Sequence, residues 1–224
     1  MSTIWWIAIA AQAAAGLSIA FLFYAYSSDR FAKYRLAEDP HRNIDMRQAQ
    51  RDAALNAFVS VFIIAAIIWL LGSRLVYESA PPWWLVPIEA IGVIIIYDFG
   101  YYFMHRYPFH EWKILREQHG IHHAARNPTA LDSLLLHPIE NAAGLLLFFG
   151  SIAMVGGVHT TTFGFLFIGY TLLNVWNHAG MKFPGPLKFV GKLSEIHDRH
   201  HHSMLSGNYA SITPLPDIIF GTAE

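Results

Sequence analysis

The chain has 224 residues, 54% of them hydrophobic and only 14% charged, against about 25% charged in a typical water-soluble domain. A formal net charge of −1 gives no sign of nucleic-acid binding, and the absence of cysteine excludes disulfides, zinc–thiolate sites, iron–sulfur clusters and a cysteine nucleophile. Histidine is the anomaly, with 13 residues against 15 Lys and Arg together.

The apolar residues fall in long runs, which points to a bilayer as solvent. The N-terminal run has no basic residues before it, so Ile4 to Tyr26 reads as a retained first span and not as a cleaved signal peptide. Ala53 to Leu71 and Trp84 to Met104 are the second and third, each close to the ~20 residues that a span needs. Ala142 to Val158 and Thr161 to Trp176 are shorter and joined by a Gly-rich link, as in tilted spans or a hairpin that dips into the membrane and returns. Pro81 and Pro82 break the chain before the third span, and Trp5, Trp6, Trp83 and Trp84 suit an interfacial belt. Threading the chain through these spans puts every Lys and Arg except Arg74 on one side, which the positive-inside rule makes cytoplasmic. The expected fold is all-α: an integral membrane bundle of four to five spans or half-spans under a cytoplasmic, histidine-rich helical cap. It forms one domain over 1–224, with two N-terminal spans and their loops in 1–83 and the histidine-bearing region in 84–224. The tail ends two residues after Thr222, so no further C-terminal domain is expected.

Four groups on the predicted cytoplasmic side carry nine histidines: His105 and His110 in HRYPFH, His119, His122 and His123 in HGIHH, His178 in NHAG, and His197, His200 and His201 in HDRHH. On a helix, positions i, i+3 and i+4 share a face, so each HxxHH aims three imidazoles the same way. His105 and His110 are off-face on a regular helix, and Pro108 between them is expected to bend or end it so that the pair converges. Imidazole suits Zn, Fe, Cu and Ni, and nine donors overfill one four-coordinate site. Spacing therefore gives a nitrogen-ligated site for two metals. Iron follows from outside the spacing, because a membrane-embedded, all-histidine pair of metals makes sense mainly for O₂ activation. His41 and His159, each isolated, read as structural hydrogen-bond partners. Asp98 lies inside a span, where an unpaired carboxylate is costly; its expected role is to accept a hydrogen bond from a histidine ligand and orient it. His137, in HPIE, is expected to support the ligands or cap a helix. His202 is off the i, i+3, i+4 set and is expected behind the ligands or facing solvent.

These motifs resemble the sterol desaturase and fatty acid hydroxylase superfamily. The resemblance runs from about Asp98 to Thr222 through DFGYYFMHR, HGIHH, HPIE, NHAGMKFP, HDRHH and NYASITPLPDIIFGT. It implies that the nine histidines ligate two iron ions, with O₂ as co-substrate and a membrane lipid as substrate. HGIHHAARNPTALDSLLLHPIE and HAGMKFP look most like the branch that oxidises sterol methyl groups or side chains. Two departures stand out. Asn174 occupies a position where some relatives have histidine, suiting it to a water-mediated contact or a structural role. Ala210 replaces the glycine of an NYG turn, which implies that the turn there either does not need a positive φ or carries some strain.

No haem domain and no dinucleotide-binding glycine motif appears, so electrons are expected from a separate carrier, a ferredoxin or a b-type cytochrome with its reductase. The reaction so implied is hydroxylation of a lipid C–H bond, or desaturation on the same site. A zinc-dependent membrane hydrolase and a metal-transporting or metal-sensing membrane protein are the alternatives from other classes; ligands clustered at one face disfavour transport.

Overall fold

The computed structural model describes residues 2–40, 45–79 and 81–224. His41 and Arg42 lie outside the described residues. The described residues are mostly helical, with five long helices, three of them long and apolar enough to cross a membrane, and a helical cap.

Helix α1 (Thr3–Ser27) is apolar on every side, the pattern of a helix with lipid on part of its surface. Its inward positions include the small residues Ala8 and Ala11, which let it approach a neighbour closely, while Leu17 and Phe21 point outward. Helix α2 (Met46–Leu75) starts at Asp45, whose carboxylate accepts from the backbone N–H of Arg47 and Gln48. Its outer face carries Phe58, Phe62, Trp69 and Leu70. Helix α3 (Leu85–Met104) runs on into a wider turn, His105–Glu111. Helices α1, α2 and the α3 stretch Leu85–Glu111 are long and apolar enough to cross a membrane.

Helices α5 (Pro138–Met154) and α6 (Thr160–Asn177) follow one another across a short link that holds Gly156 and Gly157. His137 and His159 cap their N-termini, each accepting from the backbone N–H two residues on. α1 packs on α6, α2 on α5, and α3 on both α5 and α6. Phe148, Phe149, Ile152, Phe163 and Phe167 fill the centre. At the end away from the nine motif histidines, β1 (Val76–Tyr77) pairs in parallel with β2 (Val158–His159). Buried Glu89 ties that end together, accepting from Tyr77, from His159 N–H at 3.0 Å and from Thr162 Oγ1.

The cap is built from α4 (Lys113–His119), α7 (Lys188–His201) and the short α8 (Leu215–Phe220). It covers the end where α1, α3 and α6 finish and where α2 and α5 begin.

Candidate metal centre

Three backbone devices deliver the nine histidines. The first is the continuation of α3. From His105 the helix widens to a π-turn, shown by Trp112 N–H donating to Tyr107 C=O five residues back. In that geometry i and i+5 share a face, so His105 and His110 meet. Pro108 therefore neither ends nor simply bends the helix; lacking an N–H, it opens the regular ladder and the wider turn takes over. The second device is a helix end. α4 stops at His119, and His122 and His123 sit on a following 3₁₀ turn. The third is regular helix: α7 carries His197, His200 and His201.

The rings form two groups. His105, His110, His119, His123 and His200 make one; His122, His178, His197 and His201 make the other, and within each group the nitrogens lie within 4.8 Å of one another. This corrects the expectation that each HxxHH aims three imidazoles the same way. The i and i+4 members, His119 with His123 and His197 with His201, share a group. The i+3 members, His122 and His200, cross to the other. The two motifs thus interlock, and the rings of His123 and His201, from different groups, stack with centroids 4.9 Å apart.

The atom facing each focus is Nε2. In the first group, Nε2 atoms are 3.0 Å apart for His105 and His119, 3.1 Å for His119 and His110, and 3.2 Å for His123 and His200. In the second they are 3.1 Å for His178 and His122, 2.9 Å for His197 and His178, and 3.1 Å for His201 and His197. Behind the rings, Nδ1 atoms meet backbone carbonyls. His105 donates to Tyr209 C=O (2.7 Å), His110 to Met204 C=O (2.9 Å) and His200 to Gly207 C=O (2.7 Å). His122 donates to Leu135 C=O (2.9 Å), His178 to Asn174 C=O (2.7 Å) and His201 to Ala125 C=O (2.8 Å).

This pattern tests the fit to a metal. A carbonyl only accepts, so Nδ1 of those six rings carries the proton and Nε2 of the neutral ring is a bare lone pair. Burial keeps the rings neutral. It pushes His119 and His178 down to about 3 and lowers His122, His123, His197, His200 and His201 from the ordinary histidine value. Three or more lone pairs aimed at one buried point repel one another unless a cation sits between them. Nitrogens about 2.1 Å from one ion and at right angles lie about 3.0 Å apart, which is the spacing seen. The donor set fits one nitrogen-ligated metal ion per group.

The remaining residues singled out from the sequence take different places. Asp98 does not reach a histidine. Its carboxylate accepts from the backbone N–H of Ser211 (3.3 Å), Ile212 (2.9 Å) and Thr213 (3.1 Å) and from Thr213 Oγ1 (2.6 Å). Asp217 accepts from the N–H of Tyr209 and Ala210, both at 2.8 Å, and from Thr222 Oγ1. The two aspartates clamp the tail, and the tail supplies the Tyr209 and Gly207 carbonyls that hold His105 and His200. Asn208, at φ 61°, takes the left-handed position in this turn, while Ala210 does not. Gly207 has no space for a Cβ, which would stand 2.0 Å from Thr222 O. Asn174 holds His178 through its backbone carbonyl, leaving its side chain to face a cavity. His137 caps α5 and belongs to neither group; His202 is exposed, 3.7 Å from Asp198.

Glu140 is the residue that sequence reasoning left without a role. Its carboxylate stands 3.0 Å from His119 Nδ1, where other rings meet carbonyls. The argument applied to Asp98, that a carboxylate in an apolar helix needs a partner, would have singled it out.

The fatty acid hydroxylase family model matches residues 90–222. Among curated proteins, the chain is 32% identical over 151 residues to the very-long-chain aldehyde decarbonylase GL1-11 of Oryza sativa subsp. indica, covering 63% of this chain and 54% of that protein. It is 33% identical over 151 residues to methylsterol monooxygenase 2-2 of Arabidopsis thaliana, with the same coverage. It is 29% identical over 150 residues to methylsterol monooxygenase 1 of Gallus gallus, covering 65% and 49%. The chain spans about half the length of the curated relatives it matches, and no solved structure matches it. The family match takes in all nine converging histidines, both clamping aspartates and Glu140, and on that basis the chain belongs to the fatty acid hydroxylase family.

Proposed function

We propose that this chain is a membrane oxidoreductase that hydroxylates a C–H bond of a lipid with O₂, using two iron ions held by His105, His110, His119, His123 and His200 and by His122, His178, His197 and His201. The observation that carries this reading is the double focus of Nε2 atoms, five and four, packed side by side. With iron bound, the pair would supply the two-electron reduction of O₂ that C–H oxidation requires. The balance is one C–H, one O₂, two electrons and two protons giving one C–OH and one water. The electrons come from a separate one-electron carrier of the ferredoxin or b-type cytochrome class.

The protein's own part is positional. Backbone carbonyls fix six ring tautomers, so the rings are set before a metal arrives and little reorganisation follows. His105, His119 and His200 are almost fully buried, which keeps bulk water from the first focus. His122 and His178 line the cavity that faces the membrane helices, so a lipid meets the second group first. No side chain is needed as a general base. The names of the relatives favour a sterol-like or long-chain substrate. The Lys and Arg residues of the histidine-bearing end support a site on the cytoplasmic face.

The test is metal analysis of the purified protein with lipid mass spectrometry after expression beside a suitable reductase. Two irons per chain and a lipid heavier by one oxygen are expected. Stoichiometric zinc without iron, or oxidised product retained in His200→Ala, would overturn the assignment.

A further inference from the structure

Helix α8, with the sequence LPDIIF, carries its polarity the wrong way round for a helix in water. Its one charged side chain, Asp217, is 1% exposed and turned into the protein, where it accepts from the N–H of Tyr209 and Ala210. The face left outside among the described residues is Leu215, Ile218, Ile219 and Phe220, with Ile218 62% and Ile219 56% exposed. A helix at an aqueous surface shows the opposite arrangement, and a contiguous apolar patch marks contact with a partner or a membrane.

The position of α8 identifies that partner. Phe220 packs on Phe99, Tyr102 and Phe103 of α3, with ring centroids 6.2, 5.0 and 5.2 Å away. On α3, Ile88, Ile91, Ile95 and Phe103 are exposed and recur at helical spacing, forming one outer stripe of a helix long and apolar enough to cross a membrane. Phe99 falls in the same stripe and is the position that Phe220 partly covers. The apolar face of α8 thus continues the lipid-facing surface of α3. Beyond Phe99, the first Lys or Arg on the chain is Arg106, whose guanidinium donates back to the Tyr102 hydroxyl at 2.7 Å. Arg106 stands about 10 Å from Phe99 along the helix axis, at a rise of about 1.5 Å per residue. Phe99 and Phe220 therefore lie just inside the polar boundary, the depth to which an interfacial helix buries its apolar face.

We propose that α8 is a membrane-contacting element whose Leu215, Ile218 and Ile219 lie in the hydrocarbon beside α3, and that this lipid contact anchors the C-terminal tail. The effect reaches the metal centre. Asp217 joins α8 to the turn whose Tyr209 and Gly207 carbonyls orient His105 and His200. The bilayer is then part of what holds the five-histidine group, whichever reaction the centre performs.

The chain has no cysteine, so single cysteines can carry a nitroxide label without background. The full chain is labelled at Ile218→Cys and at Ile219→Cys in phosphatidylcholine nanodiscs. Collision of the label with oxygen, which partitions into hydrocarbon, is compared with collision with water-soluble chromium oxalate. Ile95→Cys on the α3 stripe and Lys192→Cys, exposed on α7, mark the two ends of the scale. Both α8 labels should behave as Ile95→Cys does, open to oxygen and protected from the chromium complex. Labels that behave as Lys192→Cys would put α8 in water, and labels shielded from both reagents would put it against a second copy or another protein; either result overturns the membrane contact. Anchoring is read separately, by metal analysis. Ile219→Asp sets a charge on the lipid face and should lose the metal of the five-histidine group, as His200→Ala does, whereas Ile219→Val should keep it. If Ile219→Asp does not fold, Ile219→Ser, smaller and uncharged, takes its place and should lose part of that metal. Full metal content in the polar variant would overturn the anchoring role.

Discussion

Asp98 offers the sharpest test of how the tail supports the metal centre. Replacing it with Leu removes a buried carboxylate that accepts from three backbone N–H groups and one hydroxyl. Each buried donor left unpaired costs about 1–3 kcal/mol. Two effects reduce the sum: the variant no longer buries a charge, and the tail can swing out to hydrate its N–H groups. A net loss of about 3 kcal/mol is expected, which for a chain of this size lowers Tm by about 6–12 °C. The loss should not be confined to stability. The tail positions the carbonyls of Tyr209 and Gly207, on which His105 and His200 depend. Asp98→Leu should therefore also release metal from the five-histidine group, although Asp98 touches no histidine. Thermal unfolding in detergent, paired with metal analysis, measures both effects. A Tm within about 2 °C of wild type with full metal content would refute the view that this carboxylate holds the tail and, through it, the site.

Other perturbations separate the parts of the centre. Glu140→Leu removes the carboxylate behind His119, and loss of such a supporting group costs about 10–100-fold in metal affinity; chelator competition should show this, with Glu140→Gln affected less. His200→Ala should deplete the five-ring group and His201→Ala the four-ring group, each retaining about one metal ion per chain; full occupancy in both variants would contradict the division. Acid should destabilise the metal-free protein. Burial lowers the folded-state values of His119 and His178 to about 3, whereas unfolded histidine titrates near 6.5. The unfolded chain therefore binds more protons than the folded one across that window, and stability falls as pH drops through it. Thermal unfolding followed as a function of pH should show a steady decline in Tm, and a flat profile would mean that the rings are not buried as neutral imidazoles.

The spans were legible because membrane helices announce themselves in composition: long apolar runs, proline breaks at Pro81 and Pro82, and one-sided charge. The convergence of nine histidines was legible because HxxHH is a pattern that helical geometry rewards. What the sequence hid are features set by distant parts of the chain. Nothing in HRYPFH says that Pro108 will widen a helix and not end it, since that outcome depends on the tail and α7 packing around His105 and His110. Asp98 was singled out correctly as a carboxylate in need of partners, but those partners are backbone N–H groups more than a hundred residues away. Backbone carbonyls carry no sequence signal at all, and six of them set the ring orientations.

The division of each HxxHH between the two groups explains how a three-residue motif serves two foci. Rings at i and i+4 stack along one side of a helical turn and can grip one point. A ring at i+3 is rotated away from them by a fraction of a turn and faces a point beside the first. One helical turn thus spans both foci. Two such turns, one at the end of α4 and one on α7, set against each other so that His200 joins His119 and His123 while His122 joins His197 and His201, fix the spacing of the foci by backbone geometry. His105 and His110 then complete one group and His178 the other. In this arrangement a shift of α7 would displace both groups together, so a substitution that loosens α7 from its support should lower occupancy of both metals, whereas loss of a single ring should lower one. The comparison of Gly191→Ala, whose Cβ would meet Phe183 N at 2.6 Å, with His200→Ala, by metal analysis, decides whether the groups are coupled through the helix or merely adjacent.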